Sequence, residues 1–452
     1  MTASAHVDTF ARDLLPPRDE WPDFVFDLPA LDWPARLNAA SALIDAALMR
    51  GWGERTAIVW PDDAPVARTL RRWTYADLGI VASRIAHVLT GDFGVRPGNR
   101  VMLRGPDSPM TAACWFAIVK AGAIVVPVPT SWREHELTAA IDIAQISHAL
   151  CDARFAADLD KAAATSSVLR HVARFATDSP DALETWMRQK TAAFEPVATA
   201  ADDVAMIAFA ASTGSRPRAT MHFHRDILAA CDCWPAHVLK ASPDDLFAGS
   251  ASLASTYGLG ALLFFPLRIG ASALLLESTT AEALLAAVAR WRPSVLFADA
   301  ARYRTMAAWL GGNDRARLAK CVSAGPTLSA ESRATWKAAT GLEIIDGIGA
   351  TEMLHFFVSH REDETRAGAA GRSVPGYRTA VMDDAGRPLP VGVPGRLAVK
   401  GPTGCRYLGD ARQRAYVRDG WNYPGDTGFV DADGYFVPHA LAGDVREDRA
   451  VA

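Results

Sequence analysis

Three short stretches carry residue types suited to a phosphorylated ligand and a carboxylate. Residues 346–355 (DGIGATEMLH) follow the apolar run 342–345. Glycines at a strand end let a planar or phosphorylated ligand approach the backbone. Thr351 and Glu352 set a hydroxyl beside a carboxylate, a pair able to hold Mg²⁺ and a phosphate oxygen. Taken alone, the stretch reads equally well as a Gly-rich turn with a helix-capping threonine. Residues 423–428 (YPGDTG), followed by 431–436 (DADGYF), place Asp426 in a tight turn where its carboxylate can accept two hydrogen bonds from a ribose diol. Residues 208–220 (AFAASTGSRPRAT) string small and hydroxyl side chains together with two arginines after an apolar strand, a pattern whose amides and hydroxyls can cradle polyphosphate.

Other candidates read as structure. His222 and His224 are closely spaced but have no evident carboxylate or cysteine partner for a metal. The six cysteines are scattered and expected to be reduced, and Cys231 and Cys233, which match neither the C-x-x-C redox spacing nor a zinc knuckle, are read as small buried apolar residues.

The elements that must position these residues follow from patterning. A chain of 452 residues is expected to form more than one packed subdomain. Apolar residues make up 50% and charged ones 22%, with a net charge of −4 from intermixed signs, which excludes disordered and strongly basic nucleic-acid-binding classes. The N-terminus lacks the apolar core of a signal peptide, and the most apolar run, 259–276, is broken by Pro266, Arg268 and Gly270. A cytoplasmic protein without a membrane span is expected. From about Ala57, short apolar runs alternate with helical patterns, predicting an α/β fold with parallel strands. One unit runs from a strand at 100–103 through a helix at 109–121, capped by Asp107 or Ser108 and stopped by Gly122, to a strand at 123–128. After Gly371 the pattern shifts to short strands at 377–383, 395–400 and 427–436, with hairpin turns at 384–386 and 431–434.

The three chemical stretches occur in the order found in the acyl-adenylate-forming (AMP-dependent synthetase/ligase) superfamily, and the chain resembles its benzoate-CoA and 2-aminobenzoate-CoA ligases. The likeness extends over nearly the whole length, including 220–226, 257–260, 322–325, 346–355 and 401–407. It implies the large N-terminal domain of that fold: two mostly parallel sheets with packed helices plus a small β-subdomain. Residues 1–370 would form the nucleotide- and acid-binding body, 371–437 the β-subdomain with the ribose-binding turn, and 438–452 an altered tail. The implied reaction uses ATP, Mg²⁺, coenzyme A and an aromatic carboxylic acid, and passes through an acyl-AMP intermediate. By position the resemblance implies that Glu352 is the Mg²⁺ ligand and Thr351 the phosphate-contacting hydroxyl. It assigns Ser212, Thr213, Gly214, Ser215 and Arg218 to the phosphate loop, and Asp426 to the ribose. Ala324 and Gly325 with Asp346 and Gly347 would wall the adenine slot, and Tyr257, Ala324 and His355 would flank the aryl acid.

Two departures shape the expectation for this chain. In the phosphate loop, family glycines become Ser212, Ser215 and Ala219, the lysine becomes Arg218, and Gly214 stands where a hydroxyl residue is usual. Positive-φ demands at those glycines predict strain, and guanidinium geometry differs from that of an ammonium. Toward the end, Leu441 and Gly443 align with the hinge arginine and aspartate, and the last lysine is Lys400. Together these predict weakened adenylation, the alternative being a non-catalytic binding paralogue or an incomplete gene product.

Overall fold

Short runs of two to seven residues alternating with helices build two largely parallel sheets, and the computed structural model describes residues 2–62, 69–210, 217–309, 318–323 and 328–439. Ser212, Thr213, Gly214, Ser215, Ala324, Gly325 and the tail from residue 440 lie outside the described residues. The first sheet orders its strands His171–Phe175, His148–Asp152, Arg100–Arg104, Ile124–Pro127, Val204–Ala210 and Arg218–Phe223; only the last pair is antiparallel. The second orders Ile344–Ile345, Lys320–Val322, Val295–Phe297, Leu246–Gly249, Ser272–Leu274, Thr56–Pro61 and Leu70–Thr74, again with only the last pair antiparallel.

Strand parity distributes the cores. Val101 and Leu103 join the central core, whereas Met102 between them joins the outer one. Both faces of this sheet are therefore covered, which is why its central strands Ile124–Pro127 and Val204–Ala210 are continuously apolar rather than alternating. Between the sheets lie the helices Tyr75–His87, Pro109–Lys120 and His224–Asp232. Outside the second sheet pack Ala281–Trp291, Ala300–Trp309 and Ala330–Thr340. The expected unit around residue 109 forms with Ser108 as the N-cap, its side chain accepting from the Thr111 amide, and Gly122 at φ +70° just past the helix end. Among the described residues no helix is long and apolar enough to cross a membrane. All six cysteines are buried and free, and burial pushes the Cys233 thiol up to about 12.

Downstream the sheets turn antiparallel. Gly347–Gly349, Phe356–Ser359 and Arg372–Ser373 form a three-stranded sheet. A second sheet pairs Arg378–Met382 and Thr427–Val430 with Gly395–Lys400. The run 427–436, expected as one strand, is two: Thr427–Val430 and Phe436–Pro438 pair with each other, because the expected hairpin turn at 431–434 reverses the chain inside it. Asp431 both donates its amide to the Tyr435 carbonyl at 2.9 Å and accepts the Tyr435 amide on its side chain at 2.8 Å. The expected strand at 342–345 shortens to Ile344–Ile345, since the Leu342 amide is taken by the Thr340 hydroxyl at the preceding helix end.

One buried charge pair stitches the two parts together. Arg406 and Asp226 are both fully buried and hydrogen-bonded, and the Arg406 guanidinium lies 3.9 Å over the Phe223 ring. Removing one partner strands the other charge away from water, so Arg406→Ala is expected to cost about 3–5 kcal/mol. In denaturant titrations the double variant Asp226→Leu/Arg406→Met should be more stable than either single change.

Candidate active site

The antiparallel pair Val204–Ala210 and Arg218–Phe223 closes with Ala210 opposite Arg218, so the two ends of the candidate phosphate loop are pinned side by side. Ala219 pairs with Phe209 in regular strand and has no positive φ; the strain expected from losing a family glycine does not arise there. Segment 406–408 runs along the other edge of this strand: the Met221 amide donates to the Arg406 carbonyl at 2.8 Å, and the Leu408 amide to the Ala219 carbonyl at 2.9 Å. Tyr407 thereby meets Glu352. Its hydroxyl donates to Glu352 Oε1 at 2.5 Å, and Arg218 Nε stands 3.8 Å from the same oxygen. Burial, then the Glu352 charge, holds the Tyr407 hydroxyl far above its ordinary pKa, so it remains a donor.

Thr351 and Glu352 sit on a single 3₁₀ turn, Thr351–Met353, rather than capping a longer helix. Thr351 is partly exposed and Glu352 is buried. Leu354 follows at φ +70°, an uncommon conformation for a leucine and of the kind that costs roughly 1–3 kcal/mol. It turns the chain so that His355 enters the core. Asp346 is tied down twice: Oδ1 accepts its neighbour's Gly347 amide at 2.8 Å, and Oδ2 pairs with Arg333 at 3.1 Å. Burial raises the Asp346 carboxyl while Arg333 pulls it back. Gly347 has a demand of its own, because a Cβ there would stand 2.4 Å from the Val358 carbonyl oxygen in the opposing strand.

Tyr257 lies on the turn Thr256–Leu259, capped by Ser255. One face of its ring is covered by His355, at 5.4 Å between centroids and 27° between planes, so only the rest of the ring is available to an aryl ligand. His355 also packs against Phe265 at 4.5 Å and Phe356 at 4.7 Å, an approach that Gly260 permits, since a Cβ there would meet the imidazole at 2.6 Å. The Tyr257 hydroxyl and both His355 ring nitrogens are buried without a protein partner. Such orphaned polar atoms among aromatic rings suit a ligand carrying a polar group.

Asp426 lies between Gly425, at φ +93°, and the strand Thr427–Val430, and its carbonyl accepts the Leu397 amide at 2.8 Å. Two residues to which the sequence assigned no role stand out. Tyr407, which ends the stretch 401–407, holds Glu352, and Arg333, which lies in none of the stretches, holds Asp346; each partner is distant in sequence or in another element. Ser323, fully buried next to Ala324, has a hydroxyl without a partner. His222 and His224 are fully buried on the strand and helix that carry the site, and among the described residues no group of three or more His, Cys, Asp or Glu gathers as a metal set.

Residues 46–407 match the AMP-binding enzyme family. The chain belongs to that family. Among AMP-binding enzymes it is similar to the benzoate-CoA ligase of Thauera aromatica, with 31% identity over 90% of this chain and 77% of the relative. The 3-hydroxybenzoate-CoA/4-hydroxybenzoate-CoA ligase of the same organism shares 28% over 90% and 78%. Among solved structures, an anthranilate CoA ligase in complex with anthranoyl-AMP superposes with a TM-score of 0.85 at 27% identity, covering 92% of this chain and 80% of its own. A benzoate CoA ligase from Burkholderia xenovorans LB400 gives 0.80 at 26%, covering 91% and 81%.

Burial also fixes protonation in this AMP-binding enzyme. His222, His224 and His355 are each held neutral, their pKa values pushed down to about 3 by burial. In the unfolded chain they take up protons near 6.5, so the stability they carry is complete above that pH and is lost as pH falls from 6.5 toward 3. Each contributes a slope of about 1.4 kcal/mol per pH unit in that window. His355→Phe is expected to make the decline of unfolding free energy between pH 6.5 and 5 shallower by up to one proton, measured by denaturant titration at stepped pH; an unchanged slope would contradict a neutral buried His355.

Proposed function

We propose that this chain is an ATP-dependent aromatic acid:CoA ligase working through an acyl-AMP intermediate. The observation that carries the reading is the placement of Arg218, at the exit of the phosphate loop, 3.8 Å from the buried carboxylate Glu352. A polyphosphate cation and a candidate metal carboxylate thus stand side by side. The orphaned polar atoms of Tyr257 and His355 support an aryl acid as the second ligand. Benzoate- and anthranilate-type relatives support the same class of acid.

In the first half-reaction a carboxylate oxygen of the acid attacks the α-phosphorus of ATP. The bond to the bridging oxygen breaks, and pyrophosphate leaves. The CoA thiol then displaces AMP, forming the thioester and losing its proton. The donors fit a hard cation: Glu352 and Thr351 offer only oxygen, and with no larger ligand set among the described residues, phosphate oxygens and water would complete the coordination. When bound, magnesium supplies charge neutralisation at the phosphates. Arg218 faces the charge that grows on the phosphate oxygens, with a guanidinium in place of the family's ammonium. Asp426 anchors the ribose, while Asp346 and Gly347 line the adenine slot, the former held by Arg333. Neutral His355 and Tyr257 bind and orient the aryl acid rather than exchange protons with it.

The serine-substituted phosphate loop and Arg218 make slow adenylation the expected kinetic character. Incubation with Mg-ATP and benzoate or 2-aminobenzoate, followed by mass spectrometry, should reveal acyl-AMP, and acyl-CoA once CoA is added. Glu352→Gln is expected to lower acyl-AMP formation by about a hundredfold or more, the several kcal/mol that a metal ion contributes to phosphate charge stabilisation. Binding of both ligands by folded protein with neither product would replace the ligase reading with a binding one.

A further inference from the structure

The motif at 346–355 supplies a carboxylate but nothing that aims it. Glu352 lies on a turn of three residues, too short to fix a side chain through the backbone alone. Tyr407 does so from across the sheet, 55 residues away in sequence, through its 2.5 Å bond to Oε1. Tyr407 is itself firmly seated. It is 1% exposed, its amide donates to Gln413 Oε1 at 2.9 Å, and its backbone bridges to Thr220. Gln413 in turn donates to the Cys405 carbonyl at 3.1 Å and the Glu20 carbonyl at 2.9 Å. On the other side of the carboxylate, Arg218 keeps 30% of its side chain exposed and marks the direction from which a charged ligand arrives.

We propose that Tyr407 is a positioning residue that aims Glu352 at a divalent cation, committing Oε1 to its hydroxyl and so fixing the carboxylate plane before the metal-nucleotide enters. This rests on Glu352 being the metal carboxylate. A ligand held in orientation by a neighbouring hydrogen bond gains affinity because less freedom is lost when the metal binds. Tyr407 touches no reacting atom; it acts through Glu352.

The test is calorimetric titration of the full chain with α,β-methylene-ATP over a series of MgCl₂ concentrations, with metal-free AMP as reference. Tyr407→Phe, which keeps the ring, is expected to weaken the apparent Mg²⁺ affinity by about ten- to a hundredfold, the usual effect of removing a partner of a metal ligand. AMP binding without metal should stay as in the parent, and 4-aminophenylalanine at position 407, which restores an N–H donor, should recover the Mg²⁺ response. A folded Tyr407→Phe with unchanged Mg²⁺ affinity overturns the proposal. If that variant fails to fold, 4-fluorophenylalanine at the same position fills the hydroxyl's space without donating and is read in the same way. Glu352→Gln separates the two layers: if it leaves Mg²⁺ affinity intact, Glu352 is not the metal carboxylate and both claims fall; if it abolishes the response while Tyr407→Phe does not, only the role of Tyr407 falls.

Discussion

The buried Arg406–Asp226 pair is the constraint on which the site's geometry rests. A guanidinium with no exposed surface must find its counter-charge inside the protein, and Asp226 is the carboxylate it finds there. That requirement brings residues 406–408 onto the strand Arg218–Phe223, where backbone hydrogen bonds complete the register. Tyr407 then has one place to go, against Glu352. Arg218, one end of the same strand, reaches the same carboxylate. The chain of dependence runs from one desolvated charge pair, through strand register, to the orientation of the Glu352 carboxylate.

The site is built from groups whose needs are only partly met by the protein. Asp346 and Glu352 have partners, whereas the Tyr257 hydroxyl, the His355 nitrogens and the Ser323 hydroxyl are buried without one. Unmet polar groups cost roughly 1–3 kcal/mol each in a folded chain. Tyr257 and His355 stack on each other, and His355 directly follows Leu354 at positive φ, a pattern suited to a ligand rather than to stability. Neutral His355 belongs to this logic, because a charged imidazole among Phe265, Phe356 and Trp234 would lack compensation.

What could be read from the sequence was what is local or periodic. Ser108 and Gly122 bracket their helix as capping chemistry requires, and short apolar runs alternating with helical patterns pointed to the parallel strands. The motif residues Glu352 and Arg218 were identifiable, and the structure brings them together. At 427–436 the turn chemistry of 431–434 was legible, but the single strand expected over the whole run was not compatible with it, and the structure splits the run at that turn. The pairings of Tyr407 and Arg333 were not legible for another reason: one hydrogen bond spanning 55 residues, or one between a helix and a strand end, leaves no periodicity behind. Gly347 carried two meanings, ligand approach and strand crowding, and spacing alone could not separate them.

In the proposed reaction Glu352, with Arg218 beside it, supports transfer of the AMP moiety to an aromatic carboxylate. Acid-dependent exchange of labelled pyrophosphate into ATP reads that half-reaction alone, without the thiol step. Exchange that requires both Mg²⁺ and benzoate or 2-aminobenzoate, and that disappears in Glu352→Gln, is the predicted result. Folded parent protein with no exchange, or exchange that persists undiminished in Glu352→Gln, would contradict it.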